Sequence, residues 1–254
     1  MKPDRQFVTA LGRGLETLRC FTPERPELGA SDIARLTGLP QPTIWRLCHT
    51  LETLGYLVPG KSPGKLRPGP AILTLGSASL LRSGIAEVAY PLMKQIADRY
   101  QASVSLAERH RLNMVITQRA EADTILRLNF YIGATLAIER SALGWAYLSA
   151  VSDHEREHIL AAVERQAASR SEQARRDIAA ALAHYQRHGF VFNLRRYHPD
   201  VNAIGVPVVA SDGKGVMVLN CGGASSVVTE KKLGGPIARD LKALAKKLSS
   251  TMAD

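Results

Sequence analysis

The feature that most constrains this chain is the order of elements read from its first 69 residues. Val8, Leu11, Leu15, Leu18 and Phe21 recur at spacings of three and four, which is one apolar stripe of a helix running from Phe7 to Phe21. A Pro-containing break, TPERPELGA, leads to a short helix that Ser31 caps and Gly38 ends, with Ile33, Ala34 and Leu36 turned inward. A third helix begins near Pro42, because proline suits the first helical turn. It runs to Gly55 with Ile44, Leu47, Cys48, Leu51 and Leu54 on its inner side. The Gly- and Pro-punctuated segment from Tyr56 to Gly69 then reads as a short β-ribbon with Lys61 and Lys65 at an exposed basic tip. Helix, short helix, glycine turn, helix and basic ribbon is the order of a winged helix-turn-helix.

Beyond this segment the pattern changes. Residues 71–100 are helical with a weak point near Ser83 and Gly84, which predicts a linker helix over 71–84 followed by the first helix of a second domain. Short β-like runs follow at Ser103–Arg109, Asn113–Arg119 and Ile125–Ile132, then helices near 142–149, 154–166 and 172–188. Strands return near 189–193, 202–210 and 215–221, and a helix closes the chain from about Thr229 to Ser250. The expected organisation is a winged domain over 1–70, a linker over 71–84 and an α+β domain with a mostly antiparallel sheet over 85–254.

Charge bears on the partner. Lys and Arg number 33 against 23 Asp and Glu, for a formal net charge of +10 over 254 residues, and the first 80 residues hold ten basic and six acidic side chains. Such an excess favours polyanions, although it also fits an ordinary solvated surface. No stretch approaches the roughly 18 apolar residues of a membrane span, and the N-terminus lacks the apolar core of a signal peptide, so a cytoplasmic protein without a membrane partner is expected. The three cysteines, Cys20, Cys48 and Cys221, are too few and too scattered for a disulfide framework or a zinc site, and are read as reduced.

Three constellations carry chemistry. On the third helix, Gln41, Thr43, Trp45, Arg46, His49 and Thr50 lie on or beside the outer face. There a guanidinium, an amide, hydroxyls and an aromatic suit phosphates and base edges in a major groove. Arg46 fits guanine and Gln41 fits adenine. Lys61, Lys65 and Arg13 would add backbone phosphate contacts. An exposed polar helix face is the bland alternative, which accounts for Thr and Gln but poorly for Trp45.

The second is HEREH, His154 to His158, a literal HExxH in which His154 and His158 would hold zinc and Glu155 would act as general base. Ser152 and Asp153 just ahead place it in an exposed capping turn, and no third ligand is evident. The third is a small-molecule pocket around Arg140, Ser141 and ALGWA and around NCGGASS, where Gly222 and Gly223 either approach a ligand or merely turn the chain. No GxSxG elbow, phosphate-binding loop or GxGxxG is present, so neither an enzyme nor a cofactor is expected.

The blocks RGLETLRCF, SDIARLTGLPQPTIWRLCHTLETLGYL, LRPGPAILTLG, SALGWA, GFVFN and AIGVPVV with its DGKG resemble the IclR family of bacterial transcriptional regulators over nearly the whole chain. The resemblance implies a winged DNA-binding domain joined to a GAF-like effector domain, a six-stranded sheet flanked by helices. It also implies a dimer or dimer of dimers on a palindromic operator of double-stranded DNA. It puts Thr43, Trp45 and Arg46 at DNA-facing positions, with Pro42 in place of the commoner serine. It puts an effector pocket near Glu139, Arg140, Ser141, Ala142 and Leu143, at Asn193, Asn202 and Ala203, and at Asn220, Gly222 and Gly223. Ala203 stands where cysteine is common, and Trp145 where lysine is usual. Family effectors are small organic acids and aromatic catabolites, for which Arg140 would be a carboxylate partner. The rival readings are a zinc hydrolase using HEREH, and a DNA-binding chain whose second domain only oligomerises.

Overall fold

The computed structural model describes residues 6–81, 85–124, 128–166, 171–213 and 215–252. The chain divides into two compact units, Met1–Arg82 and Ser83–Asp254.

The first unit holds helices α1 (Thr9–Arg19), α2 (Ala30–Thr37), α3 (Gln41–Thr53) and α4 (Ala71–Leu81), with the antiparallel ribbon β1 (Leu57–Pro59) and β2 (Leu66–Pro68) between α3 and α4. Its core is Cys20, Leu28, Ile33, Ile44, Cys48, Leu51 and Leu57. Gly38 and Gly55 end α2 and α3 in left-handed backbone, at φ of 70° and 77°, where a side chain would be strained. The capping of α2 differs from the expectation. Ser31 lies inside the helix, Gly29 is the N-cap, and the Asp32 carboxylate accepts the Gly29 amide at 3.0 Å. Burial differs too. Only the C-terminal end of the α1 stripe, Leu18 and Phe21, packs on the core, while Phe7, Val8, Leu11 and Leu15 face outward with Leu36 of α2 and Leu54 of α3.

The second unit is a six-stranded antiparallel sheet in the order β5-β4-β3-β8-β7-β6, built from β3 (Ser103–His110), β4 (Asn113–Glu121), β5 (Thr135–Ala137), β6 (Val191–Leu194), β7 (Val201–Val209) and β8 (Val216–Ala224). One face carries α5 (Ile85–Tyr100) and the closing helical segment, α9 (Glu230–Lys232), a π-helical stretch (Leu233–Ile237) and α10 (Ala238–Thr251), over a core that includes Val104, Leu106, Ile204, Val206 and Leu219. The other carries α6 (Ala142–Ala150), α7 (Asp153–Gln166) and α8 (Ser171–His188) over Ala107, Ile116, Leu143, Leu148, Ile178 and Val218. The expected strand over 125–132 is not formed. Residues 128–132 are irregular and the edge strand is β5, while 125–127 lie outside the described residues. Polar breaks at both ends of that run hid the displacement.

Helix α6 lies almost directly on the sheet. A Cβ at Gly205 would stand 2.4 Å from the Ala142 carbonyl oxygen, and one at Gly144 would stand 1.9 Å from the Ile138 oxygen. Backbone cannot yield there as a side-chain tip can. Gly205→Ala is expected to destabilise the second unit by about 1–3 kcal/mol. Calorimetry would register this as a fall of roughly 2–4 °C in Tm per kcal/mol.

Candidate nucleic-acid interface and effector face

The outer side of α3 is organised in two adjacent lines, along each of which residues recur one helical turn apart. Gln41, Trp45 and His49 form one and Arg46 and Thr50 the other, all exposed, with Thr43 half-buried at the margin. The Trp45 indole is 63% exposed and stacks on the His49 ring, centroids 5.7 Å apart and planes within 4°. The Arg46 guanidinium has no side-chain or backbone partner among the described residues. Thr50 turns its hydroxyl back to the Arg46 carbonyl at 3.0 Å, a bond within the helix. Arg13 is exposed on α1.

Beside α3 the ribbon is pinned rather than loose. Leu28 exchanges two backbone bonds with Leu66, at 3.0 and 2.9 Å, and the Glu27 carboxylate accepts the Lys61 amide at 2.9 Å. Lys61 and Lys65 therefore have different positions. Lys61 leaves its ammonium at the exposed tip, whereas Lys65 is half-buried and donates to Asp32 at 2.5 Å, in contrast to its expected place as a free tip cation. The hydrogen bond from Lys65, then that from the Gly29 amide, holds the Asp32 carboxyl below its ordinary value. The bonds from Lys61 and Ser62 do the same for Glu27.

HEREH occupies the first turn of α7. His154 and His158 are exposed, and Glu155 accepts the Tyr147 hydroxyl at 2.9 Å and pairs with Arg109 at 3.2 Å. The Ser152 hydroxyl caps the turn by accepting the Glu155 amide at 3.2 Å. Among the described residues no group of three His, Cys, Asp or Glu side chains is placed to hold a metal ion. The three cysteines are free and buried, and burial pushes the Cys48 thiol up to about 11 and Cys221 up to about 12, so both are protonated core side chains.

The expected effector residues separate in space. Ser141 caps α6, its hydroxyl accepting the Gly144 amide at 3.1 Å and donating to the Ala137 carbonyl at 2.9 Å. Ala142 and Leu143 are buried beneath it. Asn193, Ala203, Asn220 and Gly222 lie on the α6 face of the sheet, with Asn193 donating to the Arg140 carbonyl at 2.7 Å and Asn220 to the Ile204 carbonyl at 2.9 Å. Asn202 and Gly223 lie on the opposite face. Asn202 donates to the Val228 carbonyl at 3.0 Å, its Oδ1 has no partner among the described residues, and a Cβ on Gly223 would touch Val228 at 2.8 Å. The two glycines sit within β8, so they neither turn the chain nor line one site. The Arg140 side chain borders a different space, a cavity of about 400 Å³ with Glu139, Trp145, Asp177 and Arg196.

Four residues that the sequence reading passed over complete a polar band on the α6 face. The Ser103 and Ser105 hydroxyls of β3 each accept from Arg119 of β4 at 3.0 Å, and Arg119 pairs with Glu121 at 2.5 Å. Arg119 also donates to the Leu128 carbonyl at 2.9 Å and lies over the Phe130 ring, so it holds residues 128–130 against the sheet. A bulge puts it there. Ile116 pairs with Ala107 and Gln118 with Leu106, leaving Thr117 as an extra residue that reverses the alternation for Arg119 and Glu121. Without that residue a period-two count sends Arg119 to the α5 face.

A helix-turn-helix with a free outer helix, joined in one chain to an antiparallel sheet bearing a buried polar band, defines a class: DNA-binding transcriptional regulators with an effector-binding domain. The IclR helix-turn-helix domain model matches residues 10–59, and the model of the bacterial transcriptional regulator IclR C-terminal domain matches residues 77–250. The chain belongs to the IclR family. An IclR-family regulator from Brucella abortus of known crystal structure is 39% identical, with 98% of this chain and 94% of that one aligned at a TM-score of 0.88. The HTH-type transcriptional regulator TsaQ1/TsaQ2 of Comamonas testosteroni is 28% identical over 248 residues, 97% of this chain and 89% of its own length. An IclR homolog from Microbacterium hydrocarbonoxydans, solved in complex with 4-hydroxybenzoate, shares the fold at a TM-score of 0.74 and 23% identity, over 96% of this chain and 98% of its own.

Because the folded-state pKa of Asp32 is lowered, its contribution to stability is present above the ordinary value of 3.8 and is lost as pH falls through the lowered one. Asp32→Asn is expected to reduce hydrogen-exchange protection of the Gly29 and Leu66 amides at neutral pH. The gap from wild type should close on acidification below that range.

Proposed function

We propose that this IclR-type transcriptional regulator is a cytoplasmic, sequence-specific switch for a catabolic operon, gripping a palindromic operator as a homodimer or dimer of dimers. One observation carries the DNA reading. Among the described residues Arg46 has no side-chain or backbone partner for its guanidinium, which stands on an exposed helix face beside a ribbon pinned at Glu27 and Leu28, so its five donors are free for a base edge. Gln41, Thr43, Trp45 and His49 share that face, and Lys61 and Arg13 supply sequence-blind phosphate contacts.

The effector is a small organic acid or aromatic compound. Support comes from the polar band around Arg119, Ser105, Asn193 and Asn220, from the small residues Ala203 and Gly222 on the same face, and from the relative that holds 4-hydroxybenzoate. Effector binding shifts the population of arrangements of the paired readers and so changes their fit to half-sites. Self-association is supported by apolar side chains left open just before and on α1 and on α4, Phe7, Leu11, Leu73 and Leu75 among them.

Fluorescence anisotropy with a duplex from upstream of the gene, against a scrambled duplex at about 150 mM salt, tests the first part. Arg46→Ala is expected to weaken specific binding by about 1–3 kcal/mol, whereas Lys61→Ala weakens both duplexes alike and lowers the salt slope by about 1. Equal binding of wild type to both duplexes would refute operator recognition at that sequence. Leu11→Glu is expected to shift the particle toward monomer in light scattering. An unchanged mass would remove α1 from the interface.

A further inference from the structure

We propose that the Trp45–His49 stack is a hydrocarbon reader of the major groove, which makes the operator half-site require a thymine 5-methyl group opposite Trp45. The inference rests on the DNA-binding reading above and adds a base feature to it.

Trp45 and His49 are one turn apart on α3, and their rings lie within 4° of parallel with centroids 5.7 Å apart, an offset arrangement in which the imidazole flanks the edge of the indole. The rest of the ring is open, 63% of the residue being exposed. A side chain so restrained presents a flat apolar surface in one direction, unlike the adjacent flexible guanidinium of Arg46. Leaving that much indole in water serves no packing purpose in the core of Ile33, Ile44 and Leu51.

In the major groove the choice of partner is narrow. Guanine, cytosine and adenine present donors and acceptors there, and thymine alone adds a methyl group. An aromatic ring laid against a donor or acceptor removes its water without replacing the lost hydrogen bond. Laid against the methyl, it buries hydrocarbon on hydrocarbon. The stack therefore favours thymine and penalises the other bases at one position, while Arg46 reads a neighbouring base by hydrogen bonds. His49 acts as a positioning residue in this scheme, fixing the plane of the ring it supports.

The chemistry separates the methyl from the rest of the base. Deoxyuridine keeps every hydrogen-bonding group of thymidine and lacks only the methyl, whereas 5-methylcytosine restores the methyl on a different base. Removing one buried methyl is expected to weaken binding about fourfold.

The test uses the full-length protein to select binding sites from randomised duplexes, followed by anisotropy titrations in which each thymine of the selected half-site is replaced by deoxyuridine. At one position per half-site the replacement should weaken wild-type binding about fourfold. Trp45→Ala, whose folding is checked by calorimetry, should bind the thymine and uracil duplexes equally there. At that position 5-methylcytosine paired with guanine should bind better than cytosine. Uracil tolerated at every position, or discrimination retained by Trp45→Ala, overturns the methyl reading while leaving operator binding intact. Failure of the selection to enrich any sequence overturns the DNA-binding reading itself, and the inference with it.

Discussion

The second unit depends on one close approach, that of the first turn of α6 to β7, the strand beside the sheet edge β6. Gly205 offers no side chain, so the Ala142 carbonyl comes within 2.4 Å of where a Cβ would stand. Everything on that face takes its place from this contact. Ser141 closes the helix start, Leu143 and Leu148 reach the core, and Trp145 donates its indole N–H to the Glu139 carbonyl at 2.9 Å, tying down the turn that carries Arg140. Beyond the helix start the band of Ser103, Ser105, Arg119 and Asn220 occupies the sheet face, with Phe130 lying over Arg119. A larger residue at position 205 would lift α6 and expose the apolar half together with the polar half.

The first unit solves a different problem. Its core is small, and its ribbon has only three paired residues on each strand. Burial of Leu57 anchors the ribbon at its base, and backbone bonds from Leu28 with carboxylates from Glu27 and Asp32 hold it further out. The result is a reader in which the supporting acids are engaged with ribbon groups, while among the described residues the Arg46 guanidinium and the Lys61 ammonium are not. The Lys65 ammonium offsets the Asp32 charge within the unit, while Glu27, held by the Lys61 and Ser62 amides, stays ionised at the base of the tip.

Much of this was legible from residue order. Glycines at 38 and 55, proline at 42 and the apolar spacing of α3 predict the helix-turn-helix because each acts locally, through backbone freedom or helical period. The outer face of α3 follows from the same period. The candidate effector face was legible only in part. Asn193, Ala203, Asn220 and Gly222 share it as expected from the resemblance, but Asn202 and Gly223 point to the other face because neighbours on a strand alternate. Arg119 was hidden by Thr117, since a bulge is a property of how two strands pair and leaves no mark on either strand alone.

Local chemistry in the sequence by itself determined the kinds of element, the order of the two units, the solvated setting of HEREH and the residues offered on the reading helix. Those choices depend on interactions within a few residues, which the sequence writes out directly. Only the tertiary structure decided which apolar residues of α1 are left outward, which ribbon lysine is free, and which polar side chains meet on the α6 face. Each of those outcomes depends on what a distant segment brings into contact: Asp32 for Lys65, Ser105 for Arg119, the Arg140 carbonyl for Asn193.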